Sequence, residues 1–514
     1  MKKLIYLASM LLAFAFASCE DFLTVHSVDQ LTSDSFWRNE KDAEAGMAAA
    51  YTQLYHGDRY AISEVRWPVE AYRTDLYDMG NDARNYSTWT DLYHFTYTNG
   101  NTQFSYYYSD LYRGINYANQ VLINLPNVPT TGISEEKRAA LMAEGKFLRG
   151  YYHLMLLLNW EKIIIRNEMI TTDAQLNKPL SERAACWDFI IDELQAAADG
   201  LPAKRGDSDM GRATSGAANS YLGFAYLTRA YEESAKQAEY LDKALAAFNK
   251  VHGYALVSGD ELINMFNGTN KNCAESIFEL QSSKSDANGA SYDSCIHWWI
   301  GVSEFGGWDE ILPNKFLMDE FMKEGEIATT GRYDSRLYNT VYFQCDYFND
   351  GTGRVLGQNY DEIFSKEDEN GNPQAYNRPA FRRFTPATAA GYEQSTCAFN
   401  IPLMRYANVL LMKAEALNLK GNTAEAIAII NEIRRVHGDM PAMKGSSKED
   451  VQAQIEHERI VEFPLESYRW YDLRRWGKTN EAMQAAGRTN YKDSEHRFYP
   501  IPLWEINSNP AVSE

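Results

Sequence analysis

Two stretches of the chain concentrate the side chains that could do chemistry. Between Tyr51 and Tyr112, 16 of 62 residues are aromatic, twice the 13% of the whole chain. They include Tyr60, Trp67, Tyr72, Tyr77, Tyr86, Trp89 and Tyr93, mostly away from any helical period. A second cluster holds Tyr292, Trp298, Trp299, Phe305 and Trp308. Flat rings with a polar tip suit a ligand whose faces are apolar and whose rim carries hydroxyls, which describes a pyranose ring. The rim needs Asn, Asp, Arg or Gln, and Arg73, Asp75, Asp78, Asn81, Asp82, Arg84 and Asn85 are interleaved with the first cluster. The candidate ligand-binding set is therefore Trp67, Tyr72, Arg73, Asp75, Tyr86, Trp89, Trp298, Trp299 and Trp308. The competing use of these rings is to pack their segments onto the rest of the molecule, and for any single Tyr packing is the default.

Catalysis is poorly supported. HExxH and GxSxG are absent, and the nine His are scattered. The run Trp476–Thr479 ends like a phosphate loop, but Asp472 stands where that loop needs Gly. Lys366–Gly371 resembles part of a calcium loop, with Lys366 in place of Asp and Asn377 in place of the bidentate Glu, so it reads as a turn. A glycoside hydrolase needs only two suitably spaced carboxylates, and 70 acids guarantee chance pairs, so it stays an outside alternative. No cofactor is expected and no metal-ligand set is assigned; the absence of CxxC spacing argues against a structural zinc, and whether another metal binds stays open. A net charge of −20 repels phosphate backbones and argues against nucleic acid.

The elements that must position these residues are mainly α-helical. Apolar positions at helical spacing give four hairpins: Asp42–Tyr55 with Tyr106–Leu125, Glu135–Leu158 with Glu182–Leu201, "SYLGFAYLTRAY" with "LDKALAAFNKV", and Met404–Val436 about the turn Gly421-Asn422. Small residues at Ala414 and Ala426 allow close approach, as in a tetratricopeptide repeat, and four such hairpins can stack into an α-solenoid. Two segments break the pattern. Residues 56–105 interrupt the first hairpin, and residues 254–400 form a large irregular lobe rich in turn residues. The organisation is thus 1–18 as a leader, 19–253 as the first helical region, 254–400 as the ligand-binding lobe, and 401–514 as the last hairpin and tail.

The leader is Met1-Lys2-Lys3 followed by an apolar run, Leu4 to Ala17, too short to span a bilayer but suited to a signal peptide. Ala17-Ser18-Cys19 resembles a lipobox, which makes Cys19 the lipid-attachment residue. Removal of two lysines takes the charge from −20 to −22 and leaves 496 residues. Of the five remaining cysteines, Cys273–Cys295 and Cys345–Cys397 are disulfides that spacing leaves open, and the odd count, with Cys186, leaves a free thiol.

Several blocks together point to a family. "CEDFL", "LMAEGKFLRGYYHLMLLLNW", "GRATSGAANSYLGFAYL", "RYANVLLMKAEALNLKGN", "IEHERIVEFPLESYRWYDLRRWGK" and "FYPIPLWEINSNP", in that order, resemble the SusD/RagB family of Gram-negative surface lipoproteins. The resemblance implies a non-enzymatic binder of oligosaccharides, lipid-anchored at the outer membrane and partnered with a SusC-like TonB-dependent transporter; some RagB-type relatives handle peptides instead. It also implies that Trp89 and Trp308 fall near the aromatic platforms of glycan-binding relatives. The fifth block reads as structural. Glu458, Arg459 and Glu462, then Glu466 and Arg469, have spacings that favour ion pairs along helices, and Arg474 and Arg475 can satisfy buried carboxylates. "YPIPLWEINSNP" is expected to be an extended tail packed on the scaffold.

Overall fold

The structure is a computed structural model. It describes residues 36–55, 62–80, 82–284, 292–349, 353–364 and 375–512, with positions 367, 371 and 373 between them. The leader, Cys19, Tyr60 and Asn81 lie outside the described residues, as does most of Lys366–Gly371.

The principal helices are α1 (Glu40–Thr52), α2 (Ile62–Ala71), α3 (Ser87–His94), α4 (Thr102–Asn124), α5 (Glu135–Asn159), α6 (Arg183–Gly200), α7 (Ser215–Glu232), α8 (Gln237–Phe248), α9 (Ile296–Ile300), α10 (Tyr406–Leu419), α11 (Thr423–His437), α12 (Lys448–Glu462), α13 (Arg469–Trp476) and α14 (Leu503–Ser508). Their starts follow from short polar residues. Asn39, Asn101, Ser134 and Thr214 each accept a backbone N–H of the first turn of α1, α4, α5 and α7.

The protein is mainly helical, and the four hairpins form in chain order. α1 packs with α4, α5 with α6, α7 with α8, and α10 with α11; between pairs, α4 packs on α5, α6 on α7 and α8 on α10. This stack is the arrangement of a short α-solenoid. Ala414 and Ala426 are fully buried beside Leu411, Ile430 and Ile433 in the last hairpin.

The lobe contains short helices, among them α9, and strands. The strands β1 (Tyr77–Met79), β2 (Ser276–Leu280), β3 (Ile311–Pro313), β4 (Val341–Tyr342), β5 (Ala380–Phe381) and β6 (Ile401–Arg405) pair antiparallel as β1–β3, β2–β6 and β4–β5. The β2–β6 ladder closes the base of the lobe where the chain leaves and rejoins the scaffold. The β1–β3 ladder fastens the insert 56–105 to the lobe. The larger apolar core runs from Ala43 to Tyr499 and draws on all three regions, while a smaller cluster, Ala407 to Tyr468, lies within the C-terminal region.

Two expectations need correction, and the open question of disulfides is answered. The charges of Glu458–Arg475 pair mostly across the fold rather than along their helices. Glu458 meets Arg336 and Arg434 at 2.7 Å each, Glu462 meets Arg405 at 2.6 Å, and Glu466 meets Arg405 at 2.7 Å and Arg383 at 2.8 Å. The reason is that α12 is packed against α10, α11 and the lobe, so each charged side chain meets the wall it faces. The tail is extended only through residues 499–502; beyond Pro502 it turns into α14, with Glu505 in a first turn that favours an acid. Cys186, Cys273, Cys295, Cys345 and Cys397 are all free thiols.

Candidate functional site

The two aromatic clusters, one ending at Tyr112 and the other starting at Tyr292, meet. The β1–β3 ladder brings Met79 opposite Ile311 and so sets α3 beside the segment that carries Trp308. Gly80 makes this approach feasible, because a Cβ there would collide with the Asp309 carbonyl oxygen at 1.3 Å. On the lobe side, the N–H of Trp308 donates to the Trp298 carbonyl at 2.6 Å, closing a tight loop. Gly307 lies at its crossing, where a Cβ would stand 2.2 Å from the Gly301 carbonyl oxygen.

The result is a continuous arc of rings. Tyr86 lies against Trp89 with centroids 4.6 Å apart and planes at 33°. Trp89 meets Trp299 at 4.9 Å, Trp299 meets Trp308 at 5.0 Å and 86°, and Trp308 meets Trp298 at 5.3 Å. Trp67 supports the arc from below, 5.5 Å from Trp89 and 5.2 Å from Tyr72. The members divide by exposure. Trp67, Tyr72, Trp89 and Trp299 are buried, whereas Tyr86 is 44% exposed and Trp298 and Trp308 are partly exposed. The buried rings are the floor and the three others are the face. Polar tips are used internally: Trp298 Nε1 donates to the Tyr392 carbonyl at 3.1 Å, Trp299 Nε1 to Cys295 Sγ at 3.0 Å, and Tyr72 Oη to the Glu310 carbonyl at 2.7 Å.

Two members of the candidate set point elsewhere. Arg73 is 1% exposed, donates to Asn159 Oδ1, and lies 4.6 Å from the Tyr499 ring and 5.0 Å from the Trp470 ring. Asp75 is held bidentately by Arg469 at 2.6 and 2.8 Å. Both therefore fasten the insert to the C-terminal region, and neither belongs to the ring face. Sequence neighbours diverge here because Arg73 and Asp75 lie in the bend after α2, on the side turned to α13. Of the rim candidates, Asp78, Asp82, Arg84 and Asn85 are exposed; Asp78 accepts from Tyr93 Oη at 3.0 Å, and Asn85 donates to Asp82 at 3.2 Å.

Other groups beside the arc escaped the sequence reading. Arg378 engages Glu304 at 2.7 Å and also Asp309. Glu310 is fully buried, and neither carboxylate oxygen has a hydrogen-bond partner among the described residues. Burial, with Asp82 and Asp309 adding repulsion, pushes its carboxyl up to about 8. The Asp309 carboxyl is also raised by burial, against the opposing pull of Arg378. The acid pair that directly follows Trp308 in "GGWDE" was the available signal for Asp309 and Glu310; Arg378 had none. Chemically the site offers ring faces for stacking, with a charged and hydrogen-bonding rim.

Two clusters could hold a metal by ligand type: Glu275, His437 and Glu462, and Glu324, His457 and Glu458. Arginines occupy both. Arg405 and Arg336 reach the first at 2.6–3.0 Å, and Arg434 binds Glu324 and Glu458 in the second at 2.7 Å. Guanidinium groups already supply the positive charge that a cation would bring, so these clusters read as ion networks. Among the described residues, no helix is long and apolar enough to cross a membrane.

Comparison with known proteins bears on the family and the fold. Residues 274–514 match the model of the SusD family, and residues 21–227 match that of a family described as starch-binding associating with outer membrane. SusD-like protein P2 of Formosa agariphila is 25% identical over 97% of this chain and 97% of its own. A crystal structure of a SusD superfamily protein from Bacteroides vulgatus superposes with a TM-score of 0.78 at 25% identity, covering 93% of this chain and 98% of that one. A laminarin-binding SusD-like protein superposes with a TM-score of 0.71 at 23% identity, covering 92% and 98%. The chain is a SusD-like protein.

Proposed function

We propose that this protein is a cell-surface glycan-binding lipoprotein, without catalytic activity, that captures oligosaccharides on the ring face and delivers them to a SusC-like TonB-dependent transporter in the outer membrane. The observation that carries the reading is the convergence of Tyr86, Trp308 and Trp298 into one partly exposed face over a floor of buried Trp. Such a floor fixes the ring orientations before ligand arrives, which lowers the ordering cost of binding. Stacked sugars exchange hydroxyl–water bonds for similar ones, so affinity at one site is on the order of micromolar to millimolar. The similar laminarin-binding protein makes laminarin the first probe. Lipid on Cys19 would tether the protein, and avidity with the transporter would offset weak single-site affinity.

The test is isothermal titration of the lipid-free protein with laminarin, other soluble glycans and mixed peptides. The expected result is saturable glycan binding that the combined Tyr86→Ala, Trp298→Ala and Trp308→Ala variant loses, with no cleaved product. Binding that survives the triple variant would sink the site. Peptide binding in place of glycan would transfer the protein to the RagB-like mode, and product formation would make it a hydrolase.

A further inference from the structure

The "DLRRW" segment contains two adjacent arginines with different fates. Arg475 is neutralised: Nε and Nη2 bind Glu415 at 2.8 and 2.7 Å, and Nη2 also binds Asp472. Arg474 is only 4% exposed, yet its guanidinium donates to the Leu158 carbonyl at the end of α5 and has no carboxylate partner among the described residues. The nearby acid, Glu232, is already saturated by Arg183 at 2.6 and 2.7 Å and by Trp187 Nε1 at 2.7 Å. An unpaired buried guanidinium is costly, and its planar fork matches a carboxylate. Burial, with Arg183 and Arg73 close by, pushes Arg474 down to about 9, which is the signature of a cation short of counter-charge.

Arg474 lines a cavity of about 620 Å³ between the end of α5, the start of α6, the end of α7, α13 and residues 493–500. That volume lies in the range of small-molecule sites. Its lining shares no residue with the ring face. The walls are aromatic near the cation: the Phe498 ring lies 4.4 Å from the Arg474 guanidinium and the Tyr471 ring 6.0 Å, and Tyr231 joins them. Toward solvent the lining carries exposed Glu161, Glu495 and Arg497, two acids to one cation. The acidic balance of the mouth disfavours multiply charged anions relative to a single carboxylate, while the inner rings favour a flat or partly apolar body.

We propose that this cavity is a second binding site, separate from the ring face, for a small monocarboxylate whose carboxylate pairs with Arg474. Titration of the protein at low ionic strength with sodium glucuronate, benzoate, sulfate, phosphate and neutral glucose tests it. The carboxylates should bind saturably, with sulfate, phosphate and glucose at least tenfold weaker at this site. Arg474→Gln should weaken carboxylate binding at least tenfold. Because that change also removes the bond to Leu158, Ser494→Trp serves as a second variant. It fills the mouth from an exposed position and leaves Arg474 in place, and it should give the same loss with an unchanged circular dichroism spectrum. Glucuronate could also be held as a sugar on the ring face, so the Tyr86→Ala, Trp308→Ala protein must retain it. The proposal falls if no carboxylate saturates, if sulfate or phosphate binds as well, or if neither cavity variant reduces binding.

Discussion

The lobe is joined to the scaffold by two seams of opposite chemistry. One is aromatic, from Tyr86 to Trp298. The other is ionic and fully buried: Arg336, Arg383, Arg405 and His437 face Glu275, Glu458, Glu462 and Glu466. Ring contacts are weakly directional, so a ring can rest on its neighbour with one face and offer the other to solvent. Buried ions must spend their valences on each other, because an unpaired one is costly. A seam of rings can therefore double as a binding surface, while a seam of ions holds position and nothing else.

The largest way to break this contrast is Arg405→Met. It strands Glu275, Glu462 and Glu466 beside a lost partner, and a cost of about 3–5 kcal/mol is expected in chemical denaturation. If the seam were only a solvated surface network, the loss would stay below about 1 kcal/mol. On the aromatic side, Trp308→Ala should weaken glycan binding by about 1–2 kcal/mol, roughly tenfold, in titration. Its effect on stability should be smaller than that of Trp299→Ala, which opens a hole in the floor and should cost about 3–5 kcal/mol.

The seams should also differ in pH response. Against its burial, Glu462 and Glu275 raise His437 to about 9, while His437 and Arg405 hold those two carboxyls below the usual range despite theirs. The histidine contribution is therefore complete below its unfolded value of 6.5 and is lost as pH rises through about 9. The carboxylate contribution is present above 4.5 and is lost on acidification. His437→Gln should flatten the alkaline limb of a melting-temperature profile and leave a lower plateau. Glu310 beside the ring face behaves in the reverse sense to its acidic relatives. Its carboxyl keeps its proton to about 8 in the folded state, so it destabilises increasingly as pH rises from 4.5 toward 8. Glu310→Gln should raise the melting temperature by about 2 °C at pH 8.5 and leave it unchanged at pH 4.5, the smallest of these effects.

The helical scaffold was legible because its signal is local: apolar spacing and N-cap residues such as Ser134 and Thr214 lie within a turn of what they specify. The rings were legible as two clusters because composition alone marks them. What sequence could not separate was floor from face, since Tyr86, the extended residue that caps α3, is only three residues from Trp89 in its first turn, and yet one is exposed and the other buried. Arg73 and Asp75 looked like rim groups because they sit among the rings, but the bend after α2 turns them to Trp470 and Arg469, some 400 residues away. Glu462 is another such residue. Its helix neighbours suggested partners at one turn, and packing on three sides supplied Arg405, Arg336 and His437 instead.

The contacts of residues 499–503 bear on timing. Tyr499 Oη donates to the Val69 carbonyl, Trp160 Nε1 to the Pro500 carbonyl, and the Leu503 N–H to the Asn99 carbonyl. The insert between the two helices of the first hairpin, α1 and α4, is thus finished by residues made some 400 positions later. During synthesis, the aromatic insert must wait with its apolar rings unsheltered until that stretch emerges. Early shelter for those rings, from a chaperone or from the rest of the chain, becomes a requirement of this topology.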